Sequence, residues 1–314
     1  MIGKVVLSSL ALVACATATA QAQRDYVESL DTTVTLDRQA TVDLSLLSGR
    51  IDVVGGGGSQ ARVRATSNGG DIRFDASGGR LRLSVDPGRR RCSDDPRVRC
   101  STRIGDARFE VTVPAGTRVL ANSISGAITV RGAKGEVDVN SVSGSVTVAD
   151  AARKVKAASV SGNVDVSQVV GDVRASSVSG RVEVTEVTGD IESESVSGRI
   201  AITGSRSKYV RAGSVSGRIA YAGTFDPSGT YEFKTHSGSL RLLLPADVGA
   251  QVRMETFSGQ IDSDFPVTLQ PTVQGRSSTR NIEFKIGDGR SRIVAETFSG
   301  QIRLERGDGR DIRE

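Results

Sequence analysis

Between Phe109 and Tyr221 the chain alternates apolar and polar residues in short runs that restart every nine positions. After Gly162 the apolar side chains fall at Val164, Val166 and Val169, and after Gly171 at Val173, Ala175 and Val178, so both halves share the offsets two, four and seven. The first two offsets follow the period of a strand. The change of phase before the third places a turn there, with a glycine next to relieve the backbone. Each half therefore predicts one short strand and one corner, with all three apolar side chains turned inward. Ile128 and Val130, Val146 and Val148, Val182 and Val184, and Ile200 and Ile202 obey the same pattern.

Two such halves make a repeat. Ser-Val-Ser-Gly, or a close variant, ends at Gly126, Gly144, Gly162, Gly180 and Gly198, a spacing of 18 each time. It continues at Gly217, Gly238 and Gly259, spaced by 19, 21 and 21, and returns at Gly300, while Leu47-Ser48-Gly49 is an earlier copy. Gly135, Gly171 and Gly189 mark the half-period. One unit buries too few small aliphatic side chains to offset the entropy of ordering its residues, so it folds only when stacked on others. The fold class that follows is all-β: a β-solenoid of two-sided coils of about 18 residues joined by parallel strand ladders. About ten coils at ~4.8 Å make a rod ~48 Å long. In that reading each unit lies on the one before it, and Val146, Val164 and Val182 are vertical neighbours. A helix of useful length is opposed by the period-two alternation, the Val, Ile and Thr content and the recurring glycines. An immunoglobulin-like sandwich, the structural alternative, has no reason to keep a strict 18-residue recurrence.

Composition narrows this further. The 314 residues carry 41 Lys and Arg against 36 Asp and Glu, with eight Phe, four Tyr and no Trp, so the core is narrow and aliphatic. The first 22 residues read as a signal peptide: Lys4, an apolar run from Val5 to Ala14, and A-x-A cleavage sites at Ala18, Ala20 and Ala22. Leu12-Val13-Ala14-Cys15 also matches a bacterial lipobox, in which Cys15 would become a lipidated first residue, and both cleavage routes stay open. Beyond the leader no apolar stretch approaches the length of a transmembrane helix. Residues 23–314 read as one domain with irregular coils from Ser45 to Asp86, an insertion at about 87–105, and longer terminal units. Thr224-Phe225-Asp226-Pro227-Ser228-Gly229 and the stretch from Asp262 to Arg280 are expected to be loops between coils. Cys92 and Cys100, both within the insertion, read as a disulfide of an exported protein. A metal site would need further ligands, and the one histidine is His236.

The recurring Ser-Val-Ser-Gly, Ser-Gly-x-[Ile/Val]-x-[Val/Leu] and Val-x-Gly-Asp-[Ile/Val] strings, with Leu244-Pro245-Ala246-Asp247-Val248-Gly249-Ala250 leading to Glu255-Thr256-Phe257-Ser258-Gly259, resemble the bacterial "putative adhesin" β-strand-repeat family, a domain of unknown function. The resemblance covers about residues 40–304. It implies an exported cell-envelope protein with an adhesive label, and it offers no catalytic residues to carry over. The Cys92 to Cys100 insertion is not part of that pattern.

Candidate chemistry is sparse. Asp172 and Asp190 are a carboxylate pair on neighbouring coils, without the aromatic platforms of a polysaccharide-active cleft. His236 sits in Thr235-His236-Ser237-Gly238 as a partly buried corner residue, too close in sequence to Ser237 for a nucleophilic triad. The paired serines, such as Ser159 and Ser161, either display hydroxyls at coil spacing or bond along the corner. Arg181, Arg199 and Arg218 follow the motif glycine on three successive coils. With Arg89, Arg90 and Arg91, in a segment (80–108) holding nine Arg against four Asp, they form a candidate anion-binding surface. No cofactor and no metal is expected. Nucleic acid is disfavoured by export and by the lack of interleaved aromatics. The expected function is a non-enzymatic exported envelope solenoid, in the periplasm, outer membrane or cell surface, that offers an adhesive or scaffolding surface. The alternative is an anion- or glycan-binding module built on the Arg column and the basic loop. A polysaccharide-active enzyme is the more distant one. The partners these readings imply are envelope glycans, lipopolysaccharide or another surface protein.

Overall fold

The valines of successive repeats stand one above another. Val146 pairs with Ile128 on one side and Val164 on the other, Val164 with Val182, and Val182 with Ile200, all in parallel register. This computed structural model describes residues 28–37, 39–87, 105–266 and 280–307. The fold is an all-β solenoid. Strands that follow the motif glycine, such as Val164–Val170, form one face, and strands that lead into the motif, such as Val155–Ser159, form the other. Inward residues stack in columns of like side chains with essentially no exposure, so the core is a narrow aliphatic slab. Every coil donates and accepts main-chain hydrogen bonds above and below, including through the corners, where Val160 N–H reaches Ser141 O at 3.2 Å and Ser161 N–H reaches Val142 O at 2.8 Å.

The motif glycines allow this spacing. A Cβ on Gly162 would lie 2.0 Å from the carbonyl oxygen of Gly144, and one on Gly180 would lie 2.0 Å from that of Gly162. No side chain fits between corners at coil separation.

Three expectations need correction. First, the third apolar residue of the motif half is not in the core: Val178 and Val196 are each 43% exposed, whereas Val169 and Val187 of the other half are buried. The inward place belongs to the serine before it. Ser159 Oγ accepts the Gly162 N–H at 2.9 Å and donates to Gly144 O at 3.1 Å, which lets a hydroxyl sit buried. Strand alternation then throws the next residue outward. Second, Thr224 to Gly229 is not a loop. Ile200–Ser214 and Ile219–Thr235 are unbroken strands that carry the chain through the far corner, with Ser207 opposite Phe225. The wider coil is filled by rings: Tyr221 lies 5.2 Å from Phe233 and Phe225 4.6 Å from Tyr231. Tyr231 donates its hydroxyl to Ser207 O at 2.8 Å and accepts the Asp226 N–H at 2.7 Å; burial pushes its pKa up to about 12.

Third, units stack in chain order only from Arg118 to Leu244. At the C-terminal end Lys234 pairs with Glu296, and Glu296 with Glu255. The coil of Ser291–Thr297 and Gln301–Arg306 is therefore inserted between the Gly238 coil and the earlier-made coil of Ala250–Thr256 and Gln260–Ser263. The N-terminal end does the same, with Thr41–Leu46 and Gly49–Gly56 lying between Arg80–Pro87 with Ala107–Pro114 and Arg118–Ser123 with Ala127–Arg131. Antiparallel strands close the stack: Glu28–Thr35 on Gln60–Ser67, Gly70–Ser77 on Arg80–Pro87, and Arg280–Ile286 on Ala250–Thr256. Terminal coils are thus held from both sides, and parallel ladder edges are covered by hairpin partners.

Candidate functional site

Because each motif serine turns in, the residue after it forms an exposed stripe along one corner. In stacking order the stripe runs through Ile124, Val142, Val160, Val178, Val196 and Val215, the last 48% exposed. It ends in His236, Phe298 and Phe257. The His236 and Phe298 rings stack at 4.9 Å, as do Phe298 and Phe257, with interplanar angles of 10° and 6°. His236, expected to be partly buried, is exposed. Exposed apolar side chains contiguous over this many layers are unusual for a surface with no partner.

The residue before each motif serine also points out. Between these outward side chains and the stripe lies a trough of about 790 Å³, floored by Ser177, Ser195, Ser214, Thr235 and Thr297. Its polar wall is Ser176, Glu194, Gly213, Lys234, Glu296 and Glu255. Lys234 reaches Glu232 at 2.6 Å and Glu296 at 3.3 Å, and the Glu232 hydrogen bond raises the Lys234 pKa above the usual lysine range. Glu255 takes the Arg253 guanidinium at 3.0 Å. Among the described residues the Glu194 carboxylate has no hydrogen-bond or ion-pair partner. The wall is therefore acidic on balance.

On the opposite flank, past the exposed serines Ser179 and Ser197, stand Arg181, Arg199 and Arg218 on successive layers, as the spacing predicts. Arg181 lies 3.8 Å from Glu183, and Arg218 is engaged. The Arg199 Nε is buried without a hydrogen-bond partner. Arg89, Arg90, Arg91, Cys92, Cys100, Cys15 and the leader lie outside the described residues. Asp172 and Asp190 are exposed neighbours, and Asp172 accepts the Asp190 N–H at 3.3 Å, so the carboxylate terminates a turn. Among the described residues no three His, Cys, Asp or Glu are grouped to hold a metal ion, and no helix is long and apolar enough to cross a membrane.

The solved structures that match this chain share little sequence with it. A "putative cell adhesion protein" from Clostridium sporogenes is 9% identical over 89% of this chain and 100% of its own, with a TM-score of 0.28. A "putative adhesin" from Bacteroides fragilis is 13% identical over 88% and 97%, at 0.39. A "putative lipid binding protein" from Parabacteroides distasonis is 10% identical over 90% and 97%, at 0.46. No curated protein matches the chain. The model of the Toastrack DUF4097 family matches residues 101–305, which span the ordered stack and its C-terminal crossover, and the chain belongs to that family, whose function is unknown.

Proposed function

We propose that the protein is a non-enzymatic, exported cell-envelope solenoid whose corner stripe is an adhesive or scaffolding surface. The observation that supports this is the unbroken run of exposed Val, Ile and aromatic side chains, held on a rigid ladder whose own core needs none of them. Export rests on the leader, with Cys15 as an anchor where the lipobox is cleaved, and the insertion is stapled by Cys92 and Cys100. Replacing Val178, Val196 and Val215 together by Ser tests it. The variant should fold and melt like the parent, and lose retention in the envelope fraction or cell-to-cell adhesion. Unchanged retention by a correctly exported variant would sink the reading.

A second reading is favoured by one feature, the Arg181, Arg199 and Arg218 column at ~5 Å spacing. It makes the chain a binder of phosphate, sulfate or lipopolysaccharide groups. Retention on heparin that disappears in the triple Arg to Ala variant supports it, and retention that survives removes it. Polysaccharide cleavage is the third; it requires activity that Asp172→Asn abolishes.

A further inference from the structure

From the order of side chains around the corner we infer that the stripe is covered by a second copy of this chain, in a parallel side-by-side dimer whose two-fold axis runs along the solenoid. The inference rests on the surface reading above and names its partner. Across the corner the sequence of features is an acidic wall, a trough, an apolar ridge, a row of serines and a basic column. Rotation by half a turn about an axis parallel to the stack reverses that sequence in the second copy while keeping every layer at its own height. The ridge of each copy then drops into the trough of the other, and within each layer the residue after the motif glycine faces the partner's residue before the motif: Arg199 meets Glu194, with Arg181 opposite Ser176 and Arg218 opposite Gly213. A two-fold axis across the stack would instead set ridge on ridge and like charge on like.

Two groups at one height make the charge match specific. Glu194 and Arg199 flank the same motif, Ser195 to Gly198, on opposite sides of the ridge, and neither has an ion-pair partner among the described residues. The parallel arrangement brings Glu194 of each copy against Arg199 of the other. Farther along, Glu296 and Glu255 meet the layers of Gln301 and Gln260, which can donate to them.

Other occupants fit less well. The backbone along the trough is spent on layer-to-layer hydrogen bonds, such as Val178 N–H to Ser159 O at 3.3 Å and Ser179 N–H to Val160 O at 2.9 Å, so an extended peptide finds no main-chain partners. Phe298, the central ring of the three, has both faces covered, by His236 and Phe257, and so offers no stacking platform to a sugar. Acidic side chains along the wall repel the headgroup of an anionic lipid.

The test is the mass of the purified full-length chain in solution, by sedimentation equilibrium from 1 to about 50 μM, near the range of modest protein–protein affinities. A dimer is expected, with Val196→Asp yielding a folded monomer of unchanged strand content because Val196 is outside the core. Glu194→Arg should weaken dimerisation at least tenfold, and Glu194→Arg with Arg199→Glu should restore it. Cysteines placed singly at Val160 and at Phe298 should each give a homodimeric disulfide, because in a parallel pair the two interlocked ridges run side by side along the axis and each position stays level with its own copy. A monomer throughout this range, a charge reversal that restores nothing, or a disulfide at only one of the two positions overturns the inference. Uptake of a fluorescent acyl-chain probe by a monomeric stripe overturns it in favour of a lipid. A monomer that still adheres through the stripe removes the dimer alone, whereas a dimer whose stripe variants adhere normally removes the adhesive reading.

Discussion

The middle of the molecule and its two ends use the same coil differently. From Arg118 to Leu244 each unit lies on its predecessor, and like meets like: valine on valine, serine on serine, glycine on glycine. At both ends a coil is threaded between two that are closer to each other in the chain, and antiparallel strands finish the stack. The difference shows that the motif encodes a docking surface without encoding which copy docks. Any Ser/Thr-x-Ser-Gly corner accepts any other, as when Gly259 meets the carbonyl of Gly300 and Gly300 that of Gly238. Link length alone does not set the order, because the links that skip a layer, Ala115 to Thr117 and Pro245 to Gly249, are as short as those in the middle. What the ends add is a further copy of the coil, supplied from elsewhere in the chain, that fills the skipped layer.

The crossover is open to an all-or-none test. Cysteines at Lys234 and Glu296 occupy adjacent parallel positions and should cross-link readily, while cysteines at Lys234 and Glu255 are two layers apart, beyond disulfide reach. Mass spectrometry of the oxidised variants reads the result. A bond between positions 234 and 255 would restore simple sequential stacking at this end.

Next in size is the glycine column. Gly162→Ala, in the middle, forces a methyl to within 2.0 Å of a backbone oxygen and should cost about 4 kcal/mol or more, enough to abolish cooperative melting. Gly213→Ala, on the outer wall, meets nothing within 4 Å and should change stability by no more than about 1 kcal/mol, in the stabilising direction. Equal tolerance at both positions would mean that corner spacing is not what the motif glycines secure.

Most of the fold was legible in the sequence because period and register are the same information in a solenoid. Offsets of two and four after each glycine placed Val164, Val166, Val173 and Ala175 correctly in the core. The candidate site was missed for one local reason. Reading the motif valine as apolar, and hence inward, required a phase change that the chain does not make; continuing the strand alternation one step, from Ala175 to Ser177, leaves Val178 outside. Two serines flanking that valine were the available signal, since a hydroxyl can be buried where a glycine N–H and a carbonyl both lie in reach. End order was not legible, because the copies at Gly259 and Gly300 are chemically equivalent and only the spacer between them hints at a detour.

A smaller contrast lies at the far corner, where the residues at positions 132, 150, 168, 186 and 204 all adopt left-handed backbone. Glycine occupies the first and last, at φ of 70° and 61°, while Asp150, Gln168 and Glu186 between them stand at 53° to 54°. Left-handed geometry costs a residue with a Cβ about 1–2 kcal/mol, partly offset in glycine by chain entropy. Gln168→Gly should therefore stabilise the protein by about 0.5–1 kcal/mol, read as a shift of the denaturation midpoint at constant slope. Destabilisation would show that the Gln168 side chain contributes more than its backbone costs.

Charge gives the finest version of the comparison. Faithful repetition stacks Asp165 beside Glu183 in the middle, whereas the reordered ends set Asp31 against Arg62 and Arg64. Burial raises the Asp165 pKa above the usual value, Glu183 adds to it and Arg181 opposes it; the hydrogen bond from Arg62 lowers that of Asp31. The signs are opposite. Ionised Asp165 disfavours the folded state above its own pKa, and that penalty is relieved as pH falls through the raised value toward 3.8. Asp31 favours folding above 3.8, and its contribution is lost as pH falls through its lowered value. Asp165→Asn should then stabilise by a few tenths of a kcal/mol at pH 7, a size set by solvent screening, with the gain vanishing below about pH 3. Asp31→Asn should weaken the protein at pH 7, and that loss should shrink only below pH 3.8, as pH falls through the lowered value, so it outlasts the Asp165 effect on acidification. Urea midpoints of both variants between pH 3 and 7 decide it: parallel curves, with no convergence on acidification, would mean that stacking order leaves no electrostatic trace.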